Sequence, residues 1–189
     1  MNIKKYTPTI LIALGITIVT AVLLHLEGRI AICACGYVKF WHGLVVSSGN
    51  SQHLFDWYSF SHVVHGLGFY LLLWLIDRKK KLSMTTKFLI ALGLEGGWEI
   101  LENSAWIINR YRSATISLDY FGDSIINSIG DMIAMAIGFI FAARTKPWMS
   151  IALYFVLELL LLWAIKDNLT INIIMLIHPI EALKVWQAS

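Results

Sequence analysis

Three apolar stretches of this chain carry residues able to do chemistry. Ser61-His62-Val63-Val64-His65 opens one, Glu95, Glu99 and Glu102 close the next, and Asp119, Asp123, Asn127 and Asp131 run into a third. Neutral imidazoles and ionised carboxylates at helical spacing are the ligands of metal centres in helical bundles. Two histidines with two or three carboxylates suit zinc, manganese or iron. An oxygen-only set drawn from Asp119, Asp123, Asn127 and Asp131 suits magnesium or manganese. A cation would also relieve the mutual repulsion of these six nearby acids, some of which must otherwise stay protonated.

The spacing puts each group on one side of a helix. Glu95, Glu99 and Glu102 fall within a stripe about 60° wide at 3.6 residues per turn. Asp119, Asp123, Asn127 and Asp131 step by four along a slowly drifting ridge, and His62 and His65 are neighbours on one face. Two other readings compete with a metal. Buried acids and histidines can relay protons in a transporter. The same residues can instead be structural, pairing with Arg110 or Arg112 or capping helix ends, where Asp119 and Asp123 would favour a helix dipole.

The elements that must position these residues read as membrane helices. The chain has 189 residues, 58% of them hydrophobic and only 14% charged, and a mean hydropathy of +0.68. Apolar runs recur at Pro8–Leu26, Trp57–Ile76, Thr86–Glu102, Gly122–Ala143 and Trp148–Ile165. A weaker run from Leu169 to about Trp186 contains His178-Pro179 and Glu181, which points to a kinked, re-entrant or interfacial segment. The expected fold is a single all-α membrane domain over residues 1–189, a bundle of five or six helices. The first run is long enough to span and lacks a small-x-small cleavage signal, so it reads as a retained helix.

Charge sets the orientation. Lys4, Lys5, the run Arg78-Lys79-Lys80-Lys81 with Lys87, and Arg144 with Lys146 occupy alternate loops. The positive-inside rule makes those loops, and the N-terminus, cytoplasmic. Trp41, Trp57, Trp106, Trp148 and Trp163 fall near segment ends, as interfacial anchors do. Counting from the opposite face at 1.5 Å per residue, His62 and His65 lie roughly 8–12 Å deep, Glu99 roughly 6 Å, Glu95 roughly 12 Å, Asn127 roughly 9 Å and Asp131 roughly 15 Å. All three groups thus share one outer slab, and a charge at such depth costs about 2.5–3.5 kcal/mol on insertion scales. The net charge of +3 is too small and scattered for a nucleic-acid partner.

Other residues are less specific. Arg110 and Arg112, in Asn109-Arg110-Tyr111-Arg112, offer planar forks that fit a phosphate or carboxylate head group, or pair as interfacial arginines with Glu102 or Asp119. Glu158 is a mid-segment acid without an evident partner. Cys33 and Cys35 are too few for a disulfide framework or a four-cysteine zinc site, so they read as small residues or as a redox or metal pair. His25, His42, His53 and His178 read as structural.

Several motifs recur in order: Gly28-Arg29, Cys33-Ala34-Cys35-Gly36, Asn50-Ser51-Gln52-His53, Asp56-Trp57-Tyr58-Ser59-Phe60-Ser61-His62, Trp98-Glu99-Ile100-Leu101-Glu102-Asn103, Arg110-Tyr111-Arg112, Asp119-Tyr120-Phe121-Gly122-Asp123-Ser124 and Lys166-Asp167-Asn168-Leu169-Thr170. Over nearly the whole chain they resemble a bacterial inner-membrane family known only as a domain of unknown function. The resemblance implies a multi-pass inner-membrane protein and no activity. A looser resemblance is to VanZ-like membrane proteins, whose plan of histidine, glutamate and Asp-x-x-x-Asn-x-x-x-Gly/Asp is met by His62 or His65, Glu99, and Asp123, Asn127 and Asp131.

The expected activity is that of a metal-dependent hydrolase or head-group transferase acting on a lipid or lipid-linked envelope substrate. His62, His65, Glu99, Asp123 and Asn127 would bind the ion: zinc, manganese, iron or, less directly, magnesium. Glu95, Glu102 or Asp131 would complete the shell or act as general base. Arg110, Arg112 and Asp119 would meet the anionic substrate. The alternative is a transporter, proton relay or membrane assembly factor.

Overall fold

The computed structural model describes residues 3–115 and 120–189. Eight helices are present among them: α1 (Ile3–Leu26), α2 (Ser59–Ile76), α3 (Met84–Glu102), α4 (Ala105–Ala114), α5 (Ile125–Arg144), α6 (Pro147–Ile165), α7 (Leu169–Ile177) and α8 (Glu181–Ala188). A two-residue strand β1 (Trp41–His42) pairs in parallel with β2 (Phe55–Asp56). Short polar residues mark four of the starts. Ser83, Ser104, Ser124 and Asn168 accept backbone N–H groups from the first turns of α3, α4, α5 and α7, and Pro147 opens α6. Such caps satisfy donors that a helix leaves free at its N-terminus.

Among the described residues, four helices are long and apolar enough to cross a membrane: residues Thr7–Leu26 of α1, and α2, α5 and α6. Helix α3 has 19 residues but carries Lys87, Glu95, Glu99 and Glu102. The run after Leu169 is not one long helix. Pro179 cannot continue α7, so the segment breaks into helices of 9 and 8 residues. Each is roughly 12–14 Å long, less than half the hydrocarbon thickness. Lys166 donates to the carbonyl of Ser189, and Lys184 donates to that of Ser113 at 3.3 Å, so α8 folds back beside α4 and the end of α6. Helix α4 lies in what the sequence presents as a polar loop.

Helices α2 and α5 form the spine. Gly66 and Gly138 face each other across it. A Cβ on Gly66 would collide with the carbonyl of Met135, and one on Gly138 with the carbonyl of Val63. Small residues at a crossing allow this backbone approach. Below it, Met132, Met135 and Phe139 pack with Leu73, Ala91 and Leu92 into the core. Helix α1 lies against α3, where a Cβ on Gly96 would meet Thr20. Ile10, Leu14 and Ile18 of α1 and Ile151, Phe155 and Leu159 of α6 remain exposed, an apolar surface compatible with a lipid bilayer.

The two ends of the bundle differ. At one, Asp77 bonds Lys87 Nζ at 2.9 Å and accepts the N–H groups of Lys81 and Leu82, closing the basic α2–α3 turn. The hydrogen bond from Lys87 leads in holding this carboxyl below its usual range. At the other, the 27–58 segment covers the start of α5. Ile125 and Ile126 donate to the carbonyls of Ile30 and Ala31, and Ser124 donates to that of Ser51.

Replacing Gly138 by Val forces the two backbones apart and should destabilise the bundle by about 1–3 kcal/mol or more. Gly68→Ala, with nothing within 4 Å of the new methyl, should be near neutral. Thermal unfolding of both variants in one detergent checks the contrast.

Candidate functional site

The covered end of the bundle brings His62, Glu95, Glu99 and Asp131 into one cluster. His62 sits one turn into α2, and Glu95 and Glu99 are successive turns of α3. The α2–α5 approach carries Asp131 to the other side of the ring. His62 Nδ1 lies 2.5 Å from Glu95 Oε1 and 3.4 Å from Glu99 Oε1, while its Nε2 lies 3.8 Å from Asp131 Oδ2. His65 Nδ1 lies 3.1 Å from Glu95 Oε2, and its ring meets Trp98 edge-on. Both glutamates are fully buried, with relative exposures of 0%.

A hydrogen-bonded chain continues outward from the cluster. Ser59 Oγ donates to Asp131 Oδ1 at 2.7 Å and accepts the N–H of Asp56. Asp56 in turn accepts the N–H groups of Ser51 and Tyr58. Asn103 donates to Asp123 Oδ2 at 2.9 Å and accepts the Asp123 N–H. Tyr120 donates to Asp123 Oδ1, and Tyr111 donates to Glu102 Oε1 at 3.0 Å.

Charge is unbalanced here. Among the described residues, the ion-pair partners of Glu95, Glu99 and Asp131 are the imidazoles of His62 and His65. Burial pushes the Asp56 carboxyl up to about 6, and the charge of Asp123 adds to the shift. Burial also raises Asp123, opposed chiefly by its hydrogen bond from Asn103. The two oxygens of Glu99 and Oε2 of Glu102 are buried without a hydrogen-bond partner. That is costly for a carboxylate unless a cation or a proton is supplied.

Among the described residues, two triads in this cluster have ligand atoms within 4.8 Å of one another: His62, His65 and Glu95, and His62, Glu99 and Glu102. Two cavities of about 40 Å³ each border them, sharing Tyr58, His62, Glu102, Tyr111 and Asn172 in their walls. Such a volume is of the order of one bound ion or water. A larger cavity of about 710 Å³ lies beyond Asn50 and Asp123, which line both it and one small cavity.

The remaining sequence-selected residues are placed less centrally. Helix α5 starts at Ile125, so Asp123 precedes it and only Asn127 and Asp131 form its polar ridge. Asn127 donates to the carbonyl of His53 at 2.8 Å. Asp119 lies outside the described residues. Arg110 turns away from the cluster, its Nε donating to the carbonyl of Leu176 at 2.8 Å and Nη2 to that of Ile177. It thereby caps the end of α7. Arg112 lies over the ring of Phe121. Glu158 has clear partners: it accepts the N–H groups of Leu169 and Thr170 and the Thr170 hydroxyl, capping α7. Asp56, Ser59, Asn103, Tyr111 and Tyr120 belong to the network although their spacing marks none of them. The signal lay in the recurring motifs, which contain all five.

Fold and site together define a helical membrane-type protein built around a buried acid–histidine cluster. The chain belongs to the family described as protein of unknown function (DUF2585), which it matches over residues 24–189. It is 53% identical over 176 residues to a UPF0314 protein of Sinorhizobium fredii, covering 93% of this chain and 88% of that one. It is 51% identical over 180 residues to one of Rhizobium meliloti (95% and 90%). A UPF0314 protein of Sphingopyxis alaskensis is 47% identical over 180 residues (95% and 94%). No solved structure matches the chain.

Asp56 carries a testable pH signature. Its carboxyl is raised from 3.8 to about 6 in the fold. The native state therefore binds more protons than the unfolded chain between these values, and stability falls as pH rises through that window. The contribution is full below about 3.8 and lost above about 6. Thermal unfolding in detergent should show this decline, and Asp56→Asn should reduce it, leaving the part due to Asp167, whose carboxyl burial also raises to about 6.

Proposed function

We propose that the cluster around His62 holds a divalent cation and that the protein is a metal-dependent membrane enzyme. The reading is of a hydrolase or head-group transferase acting on a lipid or lipid-linked envelope substrate. The observation that carries it is Glu99, fully buried with neither carboxylate oxygen hydrogen-bonded and Oε1 3.4 Å from His62 Nδ1. The free oxygens select among the triads. Those of Glu95 already accept from His62 and His65, whereas Glu99 and Oε2 of Glu102 are open. His62, Glu99 and Glu102 are therefore the first ligands, a donor set suited to zinc, manganese or iron. Bound there, the ion would supply a Lewis acid for an ester or phosphoester oxygen.

This chain's own residues then divide the remaining work. Glu95 orients both imidazoles, as carboxylates beside ligating histidines do. Asp131, next to His62 and fixed by Ser59, is placed to hold a proton as general base. Asp123 and Asn50 stand between the cluster and the larger cavity. Arg112, against Phe121 at that cavity's wall, is the better placed of the two arginines for an anionic head group.

The membrane setting supports the same reading. With α3 as a fifth span beside the four apolar helices, the basic loops fall on one side and the cluster near the other. The positive-inside rule then puts the cluster in the periplasmic half of a bacterial inner membrane, with the N-terminus cytoplasmic. The VanZ-like likeness supports this location and these ligand types. Conduction has less support, because Glu158, the acid that could extend a polar path along α6, is committed to capping α7.

Elemental analysis of the detergent-purified protein tests the proposal. Near-stoichiometric zinc, manganese or iron is expected, with at least tenfold weaker retention in Glu99→Gln and His62→Ala. A metal-free wild type that gains thermal stability on Glu99→Gln would mean that protons neutralise the acids, and the metal reading would fail.

A further inference from the structure

The larger cavity contains a second chemical group that owes nothing to the acidic cluster. Cys33 and Cys35 form a disulfide in its wall, together with Arg29, Lys39, His42 and His53. A staple across two residues closes a minimal loop, and the entropy such a bond removes from the unfolded chain grows with loop length. It joins no two elements. A purely structural role therefore explains little of its presence.

Its two sulfurs are not equivalent. Cys33 is buried at 6% exposure, whereas Cys35 is exposed and opens on the cavity. The backbone N–H of Cys35 donates to Cys33 Sγ at 3.1 Å. A ring nitrogen of His53 lies within 4.8 Å of both sulfurs. His53 Nδ1 accepts the N–H of Lys39 at 3.2 Å, which leaves the proton of the neutral ring on Nε2 as a hydrogen-bond donor. Donors and cations beside a sulfur stabilise its thiolate and make it the better leaving group.

We propose that Cys33–Cys35 is a thiol–disulfide exchange site for an external dithiol, such as a cysteine pair of a peptide entering the cavity. One thiolate of the dithiol attacks the exposed Cys35 sulfur. The Cys33–Cys35 bond breaks, and its electron pair leaves on Cys33 as thiolate, held by the Cys35 N–H and the surrounding cations. The second thiolate of the dithiol then attacks its own partner sulfur in the mixed disulfide and releases Cys35. The dithiol becomes a disulfide, the protein pair becomes a dithiol, and the two protons given up by the dithiol end on the two cysteines. The reverse reaction with an external disulfide restores the bond, so no further oxidant enters the exchange.

The test uses full-length protein in detergent, equilibrated with reduced and oxidised glutathione or dithiothreitol and trapped with a maleimide that adds mass per free thiol. The expected result is reversible reduction of the folded protein. In Cys33→Ser, Cys35 should form a glutathione adduct at least roughly tenfold faster than Cys33 does in Cys35→Ser. His53→Gln should slow reduction of the wild-type pair severalfold while the unfolding temperature stays within a few degrees. A disulfide that resists reduction until the protein unfolds would overturn the proposal. So would faster adduct formation at Cys33. Tight, stoichiometric zinc binding by the reduced protein that is lost in His53→Gln would replace exchange by a metal site. Each readout is independent of metal in the acidic cluster, so the two proposals stand or fall separately.

Discussion

The close approach of α2 and α5 is the constraint on which the rest of this structure depends. Gly66 and Gly138 let each backbone fill the space that a Cβ on the other helix would need. Within a membrane, apolar side chains gain little by leaving lipid for one another, so close packing and polar contacts between helices carry more of the specificity. Here the two coincide. One turn from Gly66, His62 projects toward α5, and two turns from Gly138, Asp131 projects back. The Ser59–Asp131 hydrogen bond of 2.7 Å ties the same pair of helices at the covered end. Widening the crossing would separate the groups that share charge as well as the packed methionines and Phe139 beneath them.

That charge sharing is the second organising fact. A carboxylate removed from water needs a partner of opposite sign, a set of hydrogen bonds or a proton. The acids around His62 divide by how fully they meet this need. Glu95 takes two imidazoles, and Asp123 takes the Asn103 amide and the Tyr120 hydroxyl. Asp56 takes two backbone N–H groups. Glu99 takes none. The unmet demand is thus greatest at Glu99, with one oxygen of Glu102 sharing it. An arrangement selected only for stability would be improved by an amide or an apolar side chain there.

Much of the fold was legible in the sequence because membrane helices announce themselves by length and hydropathy, and because basic loops mark one side. The meeting of His62 with Glu95 and Glu99 was legible for a related reason: equal depth and helical spacing leave few other places for these side chains. What was not legible depended on short-range chemistry. Ser124 stops α5 before it reaches Asp123, so a four-residue step that looks like one helical ridge belongs partly to a loop. Arg110 and Glu158 look like functional charges by type, yet each caps one end of α7, a nine-residue helix that apolarity alone does not delimit. Asp56 was hidden because its position is set by a two-residue strand pairing with Trp41-His42, too short to leave a periodic trace.

The 27–58 segment links these observations to function. It supplies carbonyls to the first N–H groups of α5, so it is held to the bundle where α5 begins. Its inner surface carries Ser51 and Asp56, which join the acidic network. Its outer part carries Arg29, Lys39 and two histidines around a cavity. The result is a cationic layer over an anionic one, with Asn50 and Asp123 at their boundary. An anionic molecule drawn to the outer layer would have its negative group stopped by the acids beneath unless a cation stood between them. The covering segment and the buried oxygens of Glu99, which accept no hydrogen bond, therefore bear on the same charge balance around His62, the one that the proposed ion would change.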